Sequence, residues 1–170
     1  EARARPRPYP LGFYPASAKA TAAVASYLRV PADHITLVNG LDEGIMALAV
    51  TCLRAEIGGP QLEAIVPEPA FEIFRFDTAV AGGKLIQVMP RPDFSFPIDE
   101  VLAAITPNTR VVFVTNPNNP TGADVPLDAI GAIARRLPED AVVRGGEAYA
   151  GFAGGSFIPE LDDYPTAPAG

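Results

Sequence analysis

Short β-rich runs alternate with apolar helical stretches along most of this chain, which predicts an α/β protein: a mostly parallel sheet with helices on both faces. Two further observations support that class. Arg110-Val111-Val112-Phe113-Val114-Thr115 is a continuous apolar run of the kind buried on both faces of a parallel sheet. The breaks between runs are short and built on Gly and Pro, so they read as turns and not as linkers.

The elements follow in order. Pro6, Pro8, Pro10 and Pro15 leave residues 1–15 without a period, so this stretch is expected to run extended, as an N-terminal arm. Ser17 is placed to cap a helix reaching Leu28, with Ala20, Ala23, Val24 and Tyr27 at three- and four-residue steps and Pro31 beyond its end. Ile35-Thr36-Leu37-Val38 reads as a short strand. The Asn39-Gly40 turn then opens a helix over about 44–54, with Asp42 and Glu43 at its start. Ala64-Ile65-Val66 is the next strand, Phe71 to Val80 a helix, Lys84 to Val88 a strand, and Asp99 a cap for a helix through Ile105. After the run at 110–115, a helix is expected over 127–136 and a last strand from Ala141. No internal repeat stands out, so residues 16–170 are taken as one unit.

With 170 residues, 48% of them hydrophobic, the chain can bury a sizeable core. A net charge of -7 argues against a nucleic-acid or anionic-membrane surface. Arg3, Arg5 and Arg7 read as a solvated tail. No apolar run approaches the roughly 18 residues of a membrane span, and the single cysteine, Cys52, falls in an apolar helical pattern as a small hydrophobe. The expected location is cytoplasmic, with no membrane and no nucleic-acid partner. The sequence offers no metal site and no catalytic residue.

In open α/β sheets ligands bind at the carboxyl ends of the strands, so the residues just after each apolar run carry the functional information. At Asn39-Gly40-Leu41-Asp42-Glu43 a glycine turn leads into a helix whose free N–H groups suit an anion, although a strand-to-helix turn needs glycine on steric grounds as well. At Asn116-Pro117-Asn118-Asn119-Pro120-Thr121-Gly122 two prolines fix an irregular loop that presents amide side chains. At Gly146-Glu147-Ala148-Tyr149 a tyrosine follows a strand.

The run at 116–122 resembles the signature of the fold-type I aminotransferases that use pyridoxal phosphate (PLP), particularly their histidinol-phosphate branch. Its neighbours fall in that family's order: the turn at 39–43, Pro67-Glu68-Pro69-Ala70-Phe71, Glu147-Ala148-Tyr149 and Tyr14-Pro15. The resemblance spans roughly residues 14 to 160 and implies part of a three-layer PLP-binding large domain, incomplete here. It implies a phosphate site at Gly40, Leu41 and Asp42, with Phe71 stacked on the cofactor ring and Asn119 and Tyr149 on its phenolic oxygen. It also implies a homodimer in which Tyr14 reaches the neighbouring subunit's cofactor phosphate, a cis Asn119-Pro120 bond, and a reaction that moves an amino group from a small-molecule donor to a 2-oxo acid such as 2-oxoglutarate.

The sequence departs from that pattern at several ligand positions. Gly146 stands where the family carries the aspartate that keeps the ring nitrogen protonated, and Glu147 should face the other side of the strand. Leu41 replaces a hydroxyl residue, and Gln61-Leu62 replaces Gly-Asp. The only lysines, Lys19 and Lys84, lie outside the family's setting for the lysine that attaches the cofactor. That lysine and the substrate-clamping arginine are expected beyond Gly170. Whether the chain is part of an active transaminase or a non-catalytic homologue, at most a PLP or phosphate binder or a structural partner, stays open at this level.

Overall fold

The structure is a computed structural model that describes residues 17–147. These fall into two compact units divided between Leu37 and Val38. The first holds helix α1 (Ala18–Leu28) and a short 3-10 turn, Ala32–His34. At the end of α1, Arg29 adopts a left-handed conformation (φ 59°) and donates its N–H to Ala25 O, after which Pro31 prevents continuation.

The second unit begins with α2 (Leu41–Leu53), followed by β1 (Glu63–Pro67), α3 (Ile73–Val80) and β2 (Lys84–Val88). Helix α4 (Ile98–Ala104), β3 (Thr109–Thr115), α5 (Leu127–Arg136) and β4 (Val142–Gly146) complete it. The strands form one four-stranded sheet in the order β2-β1-β3-β4, and every pairing is parallel. The expected α/β architecture is therefore present, with helices on both faces.

Alternation along the central strands assigns the two faces. Ala64, Val66, Val111 and Phe113 point to one side and pack with Ile45, Ala49 and Leu53 of α2 and Phe74 of α3. Ile65, Val112 and Val114 point to the other and meet Val101 of α4 and Ile130 and Ile133 of α5. Leu53, at the far end of α2, lies against Gly83 just before β2, where a Cβ would sit 3.0 Å from its Cδ1. Helix α2 thus runs against the strands, and its N-terminus is directed toward their carboxyl ends.

Some local expectations fail for identifiable reasons. Ile35–Val38 is not a strand: it pairs with none of the four strands, and a β-rich run without a ladder leaves Leu37 and Val38 exposed. Ser17 is already helical in backbone (φ -75°, ψ -16°) and makes no side-chain cap; its carbonyl accepts the Thr21 N–H instead. Asp99 is not a cap either, because α4 begins at Ile98 and places Asp99 in its first turn. Helix α2 starts at Leu41 and not near Gly44, and α3 starts at Ile73. Cys52 is half-buried against the α2 face of the core, and burial raises its thiol pKa.

Two carboxylates are buried at opposite ends of β1. Glu63 accepts hydrogen bonds from Lys84 Nζ (2.9 Å) and Thr106 Oγ1, and Glu68 accepts from Arg75 Nε, Gln87 Nε2 and the Ala70 N–H. Burial pushes both pKa values up, but the hydrogen bonds and the facing Lys84 and Arg75 charges outweigh it and leave both below the ordinary value. A depressed folded pKa stabilises the fold above the unfolded value, about 4.3 for glutamate, and that contribution is lost as pH falls through the folded value. Asp77 acts in the opposite sense, since burial and then the Asp42 charge raise it. The urea midpoint is therefore expected to fall as pH is lowered from about 5 toward 3, and Glu68→Gln should flatten the decline. An unchanged slope in that variant would remove Glu68 from the account.

Candidate functional site

The order β2-β1-β3-β4 places a topological switch point between β1 and β3, because the chain leaves β1 toward β2 and then returns to its other side. The two loops at that crevice are residues 68–72 after β1 and 116–122 after β3. They are joined directly: Asn118 Nδ2 donates to Pro69 O at 3.0 Å and to Thr121 Oγ1 at 2.8 Å. Three peptide bonds here are cis, Glu68-Pro69, Asn116-Pro117 and Asn119-Pro120. The last is the expected one, and the other two carried no signal in the sequence.

Each loop is anchored by a buried or half-buried polar group. Behind the first, Glu68 gathers the Ala70 N–H and the Arg75 and Gln87 side chains, so the chain turns sharply into α3. In the second, Asn116 Oδ1 accepts the Val125 N–H at 2.8 Å, and the Asn116 N–H reaches Gly146 O at the end of β4 at 2.8 Å. The Gly122 N–H closes the turn onto Asn118 O, with Gly122 at φ 71°. Asn116 and Asn118 thus spend their side chains on the loop. Asn119 is the one amide of the run with no side-chain hydrogen bond among the described residues, and it is half-buried.

Phe71, on the first loop, is half-buried and meets Phe74 edge-on, with centroids 6.1 Å apart and planes at 87°. Phe74 in turn stacks on Phe113 at 4.6 Å and 15°. The aromatic ring expected to face a ligand is therefore the outermost of three, and the two behind it are core. At the turn before α2, Gly40 has φ 91° and caps the helix, a conformation that a side chain would strain. The Leu41 and Asp42 N–H groups begin the helix and have no intrahelical acceptor, and both residues are exposed. The Glu43 carboxylate folds back to accept the Asn39 N–H. Tyr14 and Tyr149, with the arm at 1–15, lie outside the described residues.

The last residue of β4 is a glycine and offers no carboxylate. Gly146 ends β4 opposite Thr115, and the register puts it on the same sheet face as Val142 and Arg144, the face of Phe113 and α2. Arg144 is the residue that sequence reasoning missed, although an arginine two positions before Gly146 in an apolar strand was a legible signal. Its Nη1 stands 2.6 Å from where a Cβ on Gly146 would be, and it is buried without a hydrogen-bond partner among the described residues. Lys84 is not at this end. Lys84 opens β2 at the amino end of the sheet and is paired with Glu63, and Lys19 is exposed on α1 in the other unit.

Residues 11–168 match the family model described as aminotransferase class I and II. The chain is 36% identical over 145 residues to a histidinol-phosphate aminotransferase from Moorella thermoacetica, covering 85% of this chain and 36% of that protein. Among solved structures, N-succinyldiaminopimelate aminotransferase from Mycobacterium tuberculosis superposes with a TM-score of 0.67 at 26% identity, over 81% of this chain and 38% of that one. A histidinol-phosphate aminotransferase from Sinorhizobium meliloti in complex with pyridoxal-5'-phosphate has the same fold, with a TM-score of 0.69 at 24% identity over 79% of this chain and 35% of that one. The chain spans little more than a third of the curated relatives it matches. No helix among the described residues is long and apolar enough to cross a membrane.

Proposed function

The chain belongs to the class I and II aminotransferases, and from that premise we propose that it forms the PLP-holding part of a large domain, with residues 1–15 as an arm and 16–170 as the partial domain. The observation that supports it most directly is the shared placement of three features. The N-terminus of α2 is directed to the carboxyl end of the sheet, and the loops carrying Phe71 and Asn119 meet at the switch point on that end.

In this reading the Leu41 and Asp42 N–H groups bind the cofactor phosphate, helped by the positive end of the α2 dipole, and Gly40 keeps the approach open. Phe71 orients the ring plane, its own plane fixed by Phe74 behind it. Asn119 donates to the phenolic oxygen because it is the amide that the loop leaves uncommitted, and Tyr149 joins it there. Tyr14 serves the phosphate of a partner in a homodimer. When bound, PLP supplies an aldehyde that condenses with amines and a ring that delocalises charge. The phosphate, stacking and phenolic-oxygen sides fit this group; the ring-nitrogen side lacks the carboxylate. The full-length protein is proposed to move an amino group from histidinol phosphate or a similar donor to 2-oxoglutarate. A second reading, a homologue that holds PLP without turnover, is favoured by Gly146.

Calorimetric titration with PLP tests the binding. The protein is expected to give saturable heat and a raised thermal midpoint, and Asn119→Ala should weaken affinity by about tenfold, roughly one hydrogen bond to a ligand oxygen. Borohydride should trap no adduct on Lys84, which opens β2 at the amino end of the sheet and is paired with Glu63. Absence of both heat and thermal protection would end the binding proposal. Amino transfer from histidinol phosphate by the full-length protein would decide between the two readings.

A further inference from the structure

Arg144 is the feature of the site that the family pattern leaves unexplained. Burying a guanidinium N–H without an acceptor costs free energy, so such a group in a ligand crevice marks a place where an acceptor is missing. Nη1 is in that position, without a partner among the described residues and excluded from solvent, at the carboxyl end of β4. The charges on the same sheet face do not account for it. Asp42, on α2, acts on Asp77, on α3, whose buried Oδ2 is itself without a hydrogen-bond partner among the described residues and so does not pair with Nη1, and Glu147 follows β4 with the opposite parity. Burial is the one influence that shifts the Arg144 guanidinium, and it remains a cation because its ordinary pKa is so high.

The position of Nη1 is as informative as its lack of a partner. It occupies the space where a side chain on residue 146 would begin, 2.6 Å from that Cβ, with Thr115 Oγ1 at 3.5 Å from the same point. A carboxylate at residue 146 and the Arg144 guanidinium are thus alternative occupants of one spot, and this chain has the cation.

We propose that Arg144 donates a hydrogen bond from Nη1 to the ring nitrogen of bound PLP and holds that nitrogen unprotonated. This rests on the reading that the crevice binds PLP. A hydrogen-bond donor with no acceptor lone pair stabilises a neutral pyridine and opposes a pyridinium, the reverse of what a carboxylate does. The ring then withdraws electrons weakly, so the protein binds the cofactor but supports proton removal from a bound amine poorly.

Nuclear magnetic resonance of the protein with PLP isotopically labelled at the ring nitrogen tests this directly. The expected result is a bound signal at the neutral-pyridine position near pH 7, moving to the pyridinium position in the double variant Arg144→Leu/Gly146→Asp. Arg144→Leu alone separates loss of the donor from gain of the carboxylate and should weaken binding without giving the full shift. A pyridinium signal in the unaltered protein, or a signal that Arg144→Leu leaves unchanged, overturns the proposal. Binding by the double variant but not by the unaltered protein also overturns it, since Arg144 would then block the site. If neither protein binds the cofactor, the PLP reading itself fails, and this inference with it.

Discussion

Phe113→Ala is expected to destabilise the fold by about 3–5 kcal/mol, a large part of the roughly 5–15 kcal/mol that a domain of this size possesses. Phe113 lies within β3, the longest of the four described strands, and is 1% exposed. Its ring stacks on Phe74, also buried, and it shares a face with Val66, Val111 and the inner side of α2. Collapse into the vacated space is restricted, because β3 is held on both sides by parallel ladders to β1 and β4. Phe113→Leu keeps most of the volume and should cost about 1–2 kcal/mol. Urea midpoints measured on both variants at constant m-value decide the matter. Equal losses would mean that packing against Phe74 contributes little. The alanine variant should also weaken PLP binding, since Phe71 leans on Phe74 and Phe74 on Phe113.

The parts of the fold that were legible in the sequence are those where local pattern and tertiary burial agree. The limits of β2 and α5 match expectation because Gly82-Gly83 and Pro126 punctuate them, and β3 because a run apolar on both faces has no stable place outside a sheet. Ile35–Val38 has the same β-rich composition, yet strand formation needs a partner ladder and none of the four strands supplies one. The early start of α2 follows from Gly40, whose positive φ ends the turn one residue before the helix, a consequence of backbone conformation that residue type alone left ambiguous. For the site, the sequence identified the loops and left the division of labour within them unresolved. Which of three asparagines faces a ligand depends on which two are consumed by neighbouring backbone groups. Where Arg144 points depends on the space that Gly146 leaves beside it.

Asn118→Ala is expected to have the largest effect on the crevice of any single polar substitution, lowering PLP affinity by at least about tenfold and stability by roughly 1–3 kcal/mol. Its Nδ2 is the described side-chain link between the loop after β3 and the loop after β1, through Pro69 O, and it also holds Thr121 Oγ1. Removal leaves a half-buried carbonyl short of a donor and frees Thr121, whose hydroxyl also accepts the Ala123 N–H. Asn119 and Phe71 sit on the two loops so joined, and their mutual placement is what a planar ligand would read. Asn118→Asp is the sharper control, because it preserves shape but exchanges the donor for a carboxylate that repels Pro69 O. It should lose affinity at least as much as the alanine variant. Crystallography or nuclear magnetic resonance of Asn118→Ala should show the two loops displaced while β1 and β3 stay in register, since the strand ladder does not involve Asn118. Retained affinity in both variants would mean that the loops are held by their backbones alone, and Asn118 would then have no part in shaping the site.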